Sequence, residues 1–504
     1  MPVFNNPVVR GTEPDPSITR VGEDFYLATS SFGLLPGVLI RHSTDLVNWT
    51  ILAGAISRPE QYRRDGREGP IMLFAPTLRY VDGVFYLACT NVAEGGGNFI
   101  VRAEDPSGPW SDALWVDDEA FDPSLLYDDG RWYYTRRSMR PREDGFLGPV
   151  VQAELDITTG ELGPFRELTT NYGGFQSNDI EGPHLYRIGD WYYLFSAEGG
   201  TWKGHMQTCA RSRSPWGPFE PAPHNPVLTH RHRVGHPIQS TGHADLIDDE
   251  NGNWWAVFLG TRHESAGGFA VHHNLGRETF LAPVSWTADG WPVIGRDGTV
   301  ELIQEHSAPL PAPATPRPTS APTSWIEYGW KTVGPSPDGI SATEASVTLP
   351  RGRALGEPRQ GALLLAQTED SQTFEATLAS ADFDGAGVGI YSDDAHFFRL
   401  TLRRGRDSTI ETTFTRRVDD LHTVDHRVLP PADSITLRIV ATADYYRFEA
   451  VPGGQAPVAI GQGRARLLSA EAAEWFVGVH FAVLAEGSGD VVHFRGVRRT
   501  SEAR

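Results

Sequence analysis

Five stretches of this chain share a proline-marked opening, an apolar strand, a turn and an aromatic strand. They read EPDPSITRVGEDFYLATSS, FAPTLRYVDGVFYLACTN, FDPSLLYDDGRWYYTRRS, EGPHLYRIGDWYYLFSAEGG and GHADLIDDENGNWWAVFLGTR. Aligned, they put Asp15, Ala75, Asp122, Glu181 and His243 at one place in the unit, 60, 47, 59 and 62 residues apart. Three carboxylates and a histidine that converge on one point can divide acid and base work. One carboxyl stays protonated and gives its proton to a leaving oxygen, while another is ionised and activates water. Two carboxylates across a sugar-sized gap are the machinery of glycoside hydrolysis, and a third can raise the acid's pKa by like-charge repulsion. Their separation, about 6.5–9.5 Å for inverting and about 5–5.5 Å for retaining chemistry, is left open by the residues alone. A lone Pro-Asp-Pro is ordinarily a turn. The equivalence of Asp15 with Asp122 and Glu181 is what turns it toward catalysis.

The elements that must position these groups repeat as well. Each unit opens with a strand (PSITRV, PTLRYV, PSLLYD, PHLYRI, ADLIDD) and turns at Gly22-Glu23, Asp82-Gly83, Asp129-Gly130, Gly189-Asp190 or Asn251-Gly252. Asp-Gly and Asn-Gly are hairpin signals because both central residues can take positive φ. An aromatic strand follows (FYLATS, FYLACT, WYYTRR, WYYLFS, WWAVFL), and outer polar strands carry a Trp or Phe (RHSTDLVNW, RAEDPSGPW, ARSRSPWGPF). Three to four strands per unit at this period make the blade of a β-propeller, and five units predict five blades over 1–306. TFLAPVSWTADGWPVI is expected to complete the last blade or join it to the first. Residues 307–324, SAPLPAPATPRPTSAPTS, read as a proline-rich linker. Beyond it, 325–504 alternate as strands with no helix of useful length, which predicts a second all-β domain, a jelly-roll-like β-sandwich. The fold class is all-β throughout.

Bulk properties narrow the partners. A chain of 504 residues favours more than one domain, and 39% hydrophobic with 11% aromatic residues describes packed globular structure. A formal charge of −20 argues against nucleic acid and against an anionic membrane surface. Cys89 and Cys209 are too few for a disulfide framework and read as reduced core thiols. The opening MPVFNNPVVRGTEPDP has no basic start or apolar core of a leader, and no run reaches a membrane span, so the expectation is cytoplasmic. The runs Asp117-Asp118-Glu119 and Asp248-Asp249-Glu250 lack the spacing of a calcium loop and read as solvated turns.

The ordered motifs NPVVRGTEPDPSI, PGVLIRHSTDLVNW, FAPTLRYVDGVFYL, FDPSLLYDDGRWYY, IEGPHLYRIGDWYYLFSAEGG, STGHADLI and LGRETFLAPVSW resemble those of glycoside hydrolase family 43. The resemblance covers about residues 4–300 and is closest to the two-domain β-xylosidase type. It implies an inverting mechanism on β-D-xylosides, α-L-arabinofuranosides or both. By motif, it implies Asp15 as general base, Glu181 as general acid and Asp122 as the residue that orients the acid and tunes its pKa. Arg277 in LGRE resembles an arginine that binds sugar hydroxyls. His243 resembles the channel histidine, which in some members lies near an ion or its water. No cofactor is required by this reading, and a structural or channel calcium near His243 is the one ion it implies.

Phe32, Phe74 and Trp202 lie in loops beside the motifs and are the candidates for stacking on sugar. Two places depart from the family pattern: Phe74-Ala75-Pro76-Thr77 stands where Trp-Ala-Pro-His is usual, and Leu34-Leu35 replaces a frequent aromatic pair. Both belong to the pocket wall, so they bear on sugar preference and leave the carboxylates intact.

The expectation is therefore an exo-acting glycosidase of short xylo- or arabino-oligosaccharides. Its partner is a small carbohydrate, and the sheet faces of the sandwich leave room for a homo-oligomer. A non-catalytic carbohydrate-binding propeller would keep the aromatics but have no use for three equivalent acids. A five-bladed glycosidase of other sugar specificity is the nearer alternative, although Glu-Pro-Asp-Pro and Phe-Asp-Pro differ from the Asn-Asp-Pro-Asn and Arg-Asp-Pro motifs of sucrose-cleaving relatives.

Overall fold

The computed structural model describes residues 2–139, 149–169, 179–266, 270–306, 309–311 and 324–501. Most of the expected linker, 307–324, lies outside the described residues. By Cα proximity the chain forms two compact units. One comprises Met1–Val9, Glu13–Thr261 and Glu278–Pro318; the other Arg10–Thr12, Arg262–Arg277 and Thr319–Arg504. The second unit thus takes in two segments that precede the proline-rich stretch. Asn274 ties one of them down: its amide donates to the Ala465 carbonyl at 2.7 Å, and its own carbonyl accepts from Val479 N at 2.8 Å.

The first unit is a five-bladed propeller of antiparallel sheets. The innermost strands are Ser17–Val21, Leu73–Val81, Ser124–Asp128, Glu181–Ile188 and Ile238–Asp248, and they neighbour one another in a closed ring. The aromatic strands Asp24–Ala28, Val84–Asn91, Arg131–Arg137, Trp191–Glu198 and Trp254–Arg262 pair outside them. The hairpins form as their residues dictate: Asp82 and Gly83 have φ of 48° and 87°, Asp129 and Gly130 of 49° and 76°. The segment expected to finish the propeller supplies the outer strands of the fifth blade, Arg277–Trp286 and Pro292–Ile294. Val3–Asn5 then pairs with Ile303–Glu305, so the two ends of the propeller sequence are joined by main-chain bonds.

Burial explains why aromatics recur in the second strand. Each blade is too thin to own a core, so the core lies between blades. Tyr26, Ile40, Leu78, Phe85 and Leu87 fill the space between the first and second blades. Phe195, Leu246, Phe258 and Phe280 fill that between the fourth and fifth. Phe4, Ile18, Phe25, Trp255 and Leu281 close the ring between fifth and first.

The second unit is a two-sheet sandwich. One sheet includes the order Leu421–Leu429, Ile410–Val418, His396–Arg404, Ala386–Asp393, His480–Ala485, Ala362–Ala366 and Trp330–Val333. The other runs Ser341–Ala342, Ser346–Pro350, Val491–Ser501, Gln372–Ala379, Ser434–Ala441, Tyr445–Pro452 and Val458–Arg464. Ser434–Ala441 alternates strictly between half-buried and buried positions, the period of a strand with one face in a core. Phe374 and Phe481 stack between the sheets with centroids 5.1 Å apart and planes 9° from parallel. Both cysteines are free and buried, as expected. The two acidic runs are not simply solvated. Asp117 pairs with the buried Arg136. Asp249 is buried, accepting from Asn253 Nδ2 at 2.9 Å and from Trp255 Nε1 at 3.2 Å. The tryptophan indole needs an acceptor once buried, and that draws the carboxylate in.

Candidate active site

Four of the five equivalent positions share a backbone conformation that no strand residue normally takes. Asp15, Ala75, Asp122 and His243 have φ of 53°, 24°, 60° and 52°. In the fourth blade the left-handed residue is Gly182, at 54°, one place after Glu181. Left-handed backbone costs a non-glycine residue free energy and persists only where its surroundings fix it, a pattern that clusters at functional sites. In the second and fourth blades the register of the inner pair slips at that place, between Phe74 and Thr77 and between Glu181 and His184. Such bulges re-aim side chains. Gly182 is required twice over, because a Cβ there would stand 2.8 Å from the His243 ring.

Asp15, Asp122 and His243 are buried, and Glu181 is mostly so. Asp15 accepts the Ser30 hydroxyl at 2.6 Å and faces His243 Nδ1 at 3.4 Å. Ser30 in turn accepts from Ala75 N at 2.7 Å, which is how the second blade supports Asp15 of the first. Asp122 accepts from Gly182 N at 2.9 Å, a bond from the third blade to the strand that carries Glu181. Glu181 accepts from Arg137 Nη1 at 2.5 Å, and the other arm of that guanidinium reaches Asp179 at 3.1 Å.

Burial first, and then the charge of Asp122, push the Glu181 carboxyl up to about 7, against the opposing pull of Arg137 and His243. Asp122 is likewise raised by burial and by Asp15, with His243 and the Gly182 N–H opposing. Burial alone would lower His243. The hydrogen bond and charge of Asp15, with the charges of Asp122 and Glu181, outweigh it and lift the imidazole to about 9. The site at neutral pH therefore holds an acid able to keep its proton, a hydrogen-bonded Asp15 and a cationic His243. The carboxylates that act on His243 are Asp15, Asp122 and Glu181. A calcium takes six to eight oxygen ligands, so these carboxylates would supply only part of its shell.

Of the stacking candidates, Phe32 and Phe74 meet edge to face at 5.7 Å. Phe74 continues to Phe121 at 5.9 Å, and Phe121 carries the Arg137 guanidinium 5.0 Å from its centroid. An aromatic row thus leads to the pair that holds Glu181. Trp202 sits in the turn between Trp191–Glu198 and Met206–Ser212, 39% exposed. Arg277 is buried at the start of its strand with its guanidinium 4.7 Å from the Phe476 ring, and it falls in the second compact unit.

Arg137, Ser30, Phe121 and Asp179 are absent from the sequence reading. Arg137 left one signal: WYYTRR ends in two arginines where the other aromatic strands end in small or apolar residues or a single one. Replacing Arg137 by Met removes a cation that holds Glu181 down, so the alkaline limb of kcat/KM should move to higher pH by roughly one unit. A pH profile of the variant checks this, and an unmoved limb would reduce Arg137 to a packing role.

Comparisons with known proteins identify the family. The model of glycosyl hydrolases family 43 matches residues 4–292, and that of the beta xylosidase C-terminal concanavalin A-like domain matches 351–494. The chain is 37% identical over 513 residues to the non-reducing end alpha-L-arabinofuranosidase BoGH43B of Bacteroides ovatus, covering 96% of this chain and 92% of that one. It is 43% identical over 323 residues to a xylosidase/arabinosidase of Butyrivibrio fibrisolvens, covering 62% of this chain and 60% of that one. The solved structure titled Bacteroides ovatus xyloglucan PUL GH43B superposes with a TM-score of 0.85 at 34% identity, over 99% of this chain and 100% of that one. With one match across most of the propeller and another along nearly the whole length, the chain belongs to glycosyl hydrolase family 43.

Proposed function

We propose that this chain is an exo-acting, inverting glycosidase that releases xylose or arabinose from the ends of short xylo- or arabino-oligosaccharides. The observation that carries the reading is the pairing of Glu181, raised to about 7 by burial and Asp122, with a hydrogen-bonded Asp15 from another blade. Asp15, as general base, takes a proton from water as the water oxygen bonds to the anomeric carbon. Glu181 gives its proton to the glycosidic oxygen as that carbon–oxygen bond breaks. Asp122, through Gly182 N, fixes the strand of the acid and keeps the acid protonated. The cationic His243 and Arg137 offset the charge of three carboxylates crowded in a poorly solvated site. Phe32 and Phe74 supply apolar faces for a sugar ring, and Arg277, His243 and Trp202 remain the further substrate-binding candidates. Relatives named as an arabinofuranosidase and as a xylosidase/arabinosidase support these two sugars.

The test is release of p-nitrophenol from the β-D-xylopyranoside and the α-L-arabinofuranoside, with NMR of the first sugar formed from the xyloside. The expected result is turnover of at least one substrate, with α-xylose appearing before mutarotation. The ratio of the two rates names the preferred sugar. Inert behaviour toward both would overturn the sugar assignment, and β-xylose appearing first would overturn inversion.

A further inference from the structure

Outside the active site, three side chains that no catalytic step uses stand together. His263 follows the strand Trp254–Arg262, His273 lies ten residues further on, and Glu471 stands in the first turn of the short helix Ala470–Ala473. All three belong to the same compact unit. One ligand atom from each falls within 4.8 Å of the others. The two imidazoles stack with centroids 5.2 Å apart and planes 19° from parallel. Glu471 Oε1 lies 2.8 Å from His273 Nδ1, and its Oε2 accepts from His273 N at 3.1 Å.

We infer that His263, His273 and Glu471 form a binding site for a divalent transition ion, zinc by preference. Two imidazole nitrogens and one carboxylate oxygen are the donor set of three-ligand zinc sites, which leave a fourth position to water. Calcium and magnesium prefer an oxygen shell, and imidazole selects against them. Tetrahedral ligands about 2.1 Å from an ion stand ~3.4 Å apart, so side-chain rotations of an ångström or so close the cluster on a metal.

The frame behind His273 and Glu471 is held by hydrogen bonds. His273 is buried, and its carbonyl accepts from Ala470 N at 3.3 Å. The next residue, Asn274, is bonded to Ala465, Val479 and Tyr446. Ser469 caps the helix by accepting from Ala472 N. Glu471 is the solvent-facing member, with 35% of its side chain exposed, and provides the entry path. A bound ion would tie His263 and His273 to Glu471 by a bond set that a His–Glu hydrogen bond alone does not supply.

The experiment uses the full chain with any histidine tag removed, because the sequence holds 17 histidines that could take zinc weakly. Metal-stripped protein is titrated with Zn(II) by calorimetry and dialysed against Zn(II) before elemental analysis, beside Glu471→Gln, His263→Ala and His273→Ala. The expected result is one zinc per chain, affinity weakened at least tenfold in each variant, and a thermal midpoint raised by zinc in the wild type only. Cobalt(II) gives a second readout, since a tetrahedral nitrogen–oxygen site shows intense visible absorption that Glu471→Gln should alter. Should His273→Ala fail to fold, the exposed Glu471→Gln and the half-buried His263→Ala still decide the matter. Stoichiometry well below one, or equal zinc binding in wild type and Glu471→Gln, would overturn the site.

Discussion

Replacing Glu181 by Gln should lower kcat on an oligosaccharide by about 10²–10⁴-fold, the usual contribution of a general acid, while an activated aryl glycoside loses far less. The difference comes from the leaving group. A sugar alkoxide needs a proton as the bond breaks; a nitrophenolate does not. Asp15→Asn should instead lower turnover of both substrates by a similar factor, because water must be activated whatever departs. Glutamine and asparagine keep the volume of the acids, so the hydrogen bonds from Arg137 to Glu181 and from Ser30 to Asp15 have an oxygen to land on. The assay pairs xylobiose with a dinitrophenyl xyloside for each variant. Equal losses on both substrates in Glu181→Gln would remove it from the acid role, and a leaving-group-dependent loss in Asp15→Asn would exchange the two assignments.

The same wild-type enzyme should lose kcat/KM as pH rises through about 7, the value at which Glu181 gives up its proton. That limb is where the Arg137→Met shift described above is read. Because burial and Asp122 both raise the acid, any variant that opens the site to water should bring the limb down.

The architecture was legible because the chain repeats. A blade announces itself by its hairpin turn and aromatic strand, and five such units leave few alternatives. The candidate carboxylates could be grouped for the same reason, since Asp15, Asp122 and Glu181 hold equivalent positions in their repeats. What alignment of repeats cannot give is the contact between units. Arg137, Ser30 and Phe121 matter through what they touch on another blade, and apart from the double arginine that ends WYYTRR their strands and loops look ordinary in composition. The left-handed backbone shared by Asp15, Ala75, Asp122 and His243 was equally hidden. None of these is glycine, and their tolerance of that conformation comes from the packing of the ring rather than from residue type. Asp249 was misread for the complementary reason: a run of acids in a turn resembles a solvated loop until the indole of Trp255 is seen to need one of them.

The largest such hidden contact is Asp245, two residues beyond His243, and its removal should be the most damaging single change to the stability of the propeller. Asp245 is fully buried at 0% exposure and accepts from four inner strands' worth of donors. Ser17 Oγ and Ile18 N reach it at 2.6 and 3.0 Å from the first blade, and Arg79 at 2.9 and 3.2 Å from the second. The Tyr186 hydroxyl reaches it from the fourth, and Leu246 N on its own strand adds a bond at 3.0 Å. Arg79 also meets His184 Nδ1 at 3.1 Å, and His184 meets Ser124 Oγ of the third blade at 3.3 Å. All five inner strands therefore join one polar network around a single carboxylate. Burial would raise Asp245, but the charge and hydrogen bonds of Arg79, with His184 and Ser17, hold it well below the usual carboxylate range. Burial keeps His184 neutral, lowered to about 3. Arg79 is then the cation that balances Asp245, and Asp245→Asn leaves it mostly buried without a counter-charge. Breaking one side of a buried ion pair costs about 3–5 kcal/mol, which corresponds to a fall in thermal midpoint on the order of 5–10 °C. The depressed pKa fixes the pH dependence. The stabilisation is complete above the ordinary aspartate range of about 4 and is lost only as pH falls into strong acid. The difference between wild type and variant should thus be flat from pH 5 to 8. Thermal unfolding of Asp245→Asn, Arg79→Met and the double variant checks both points. The double variant should be less damaged than the sum of the single changes, and strict additivity would show that the network is not centred on this pair.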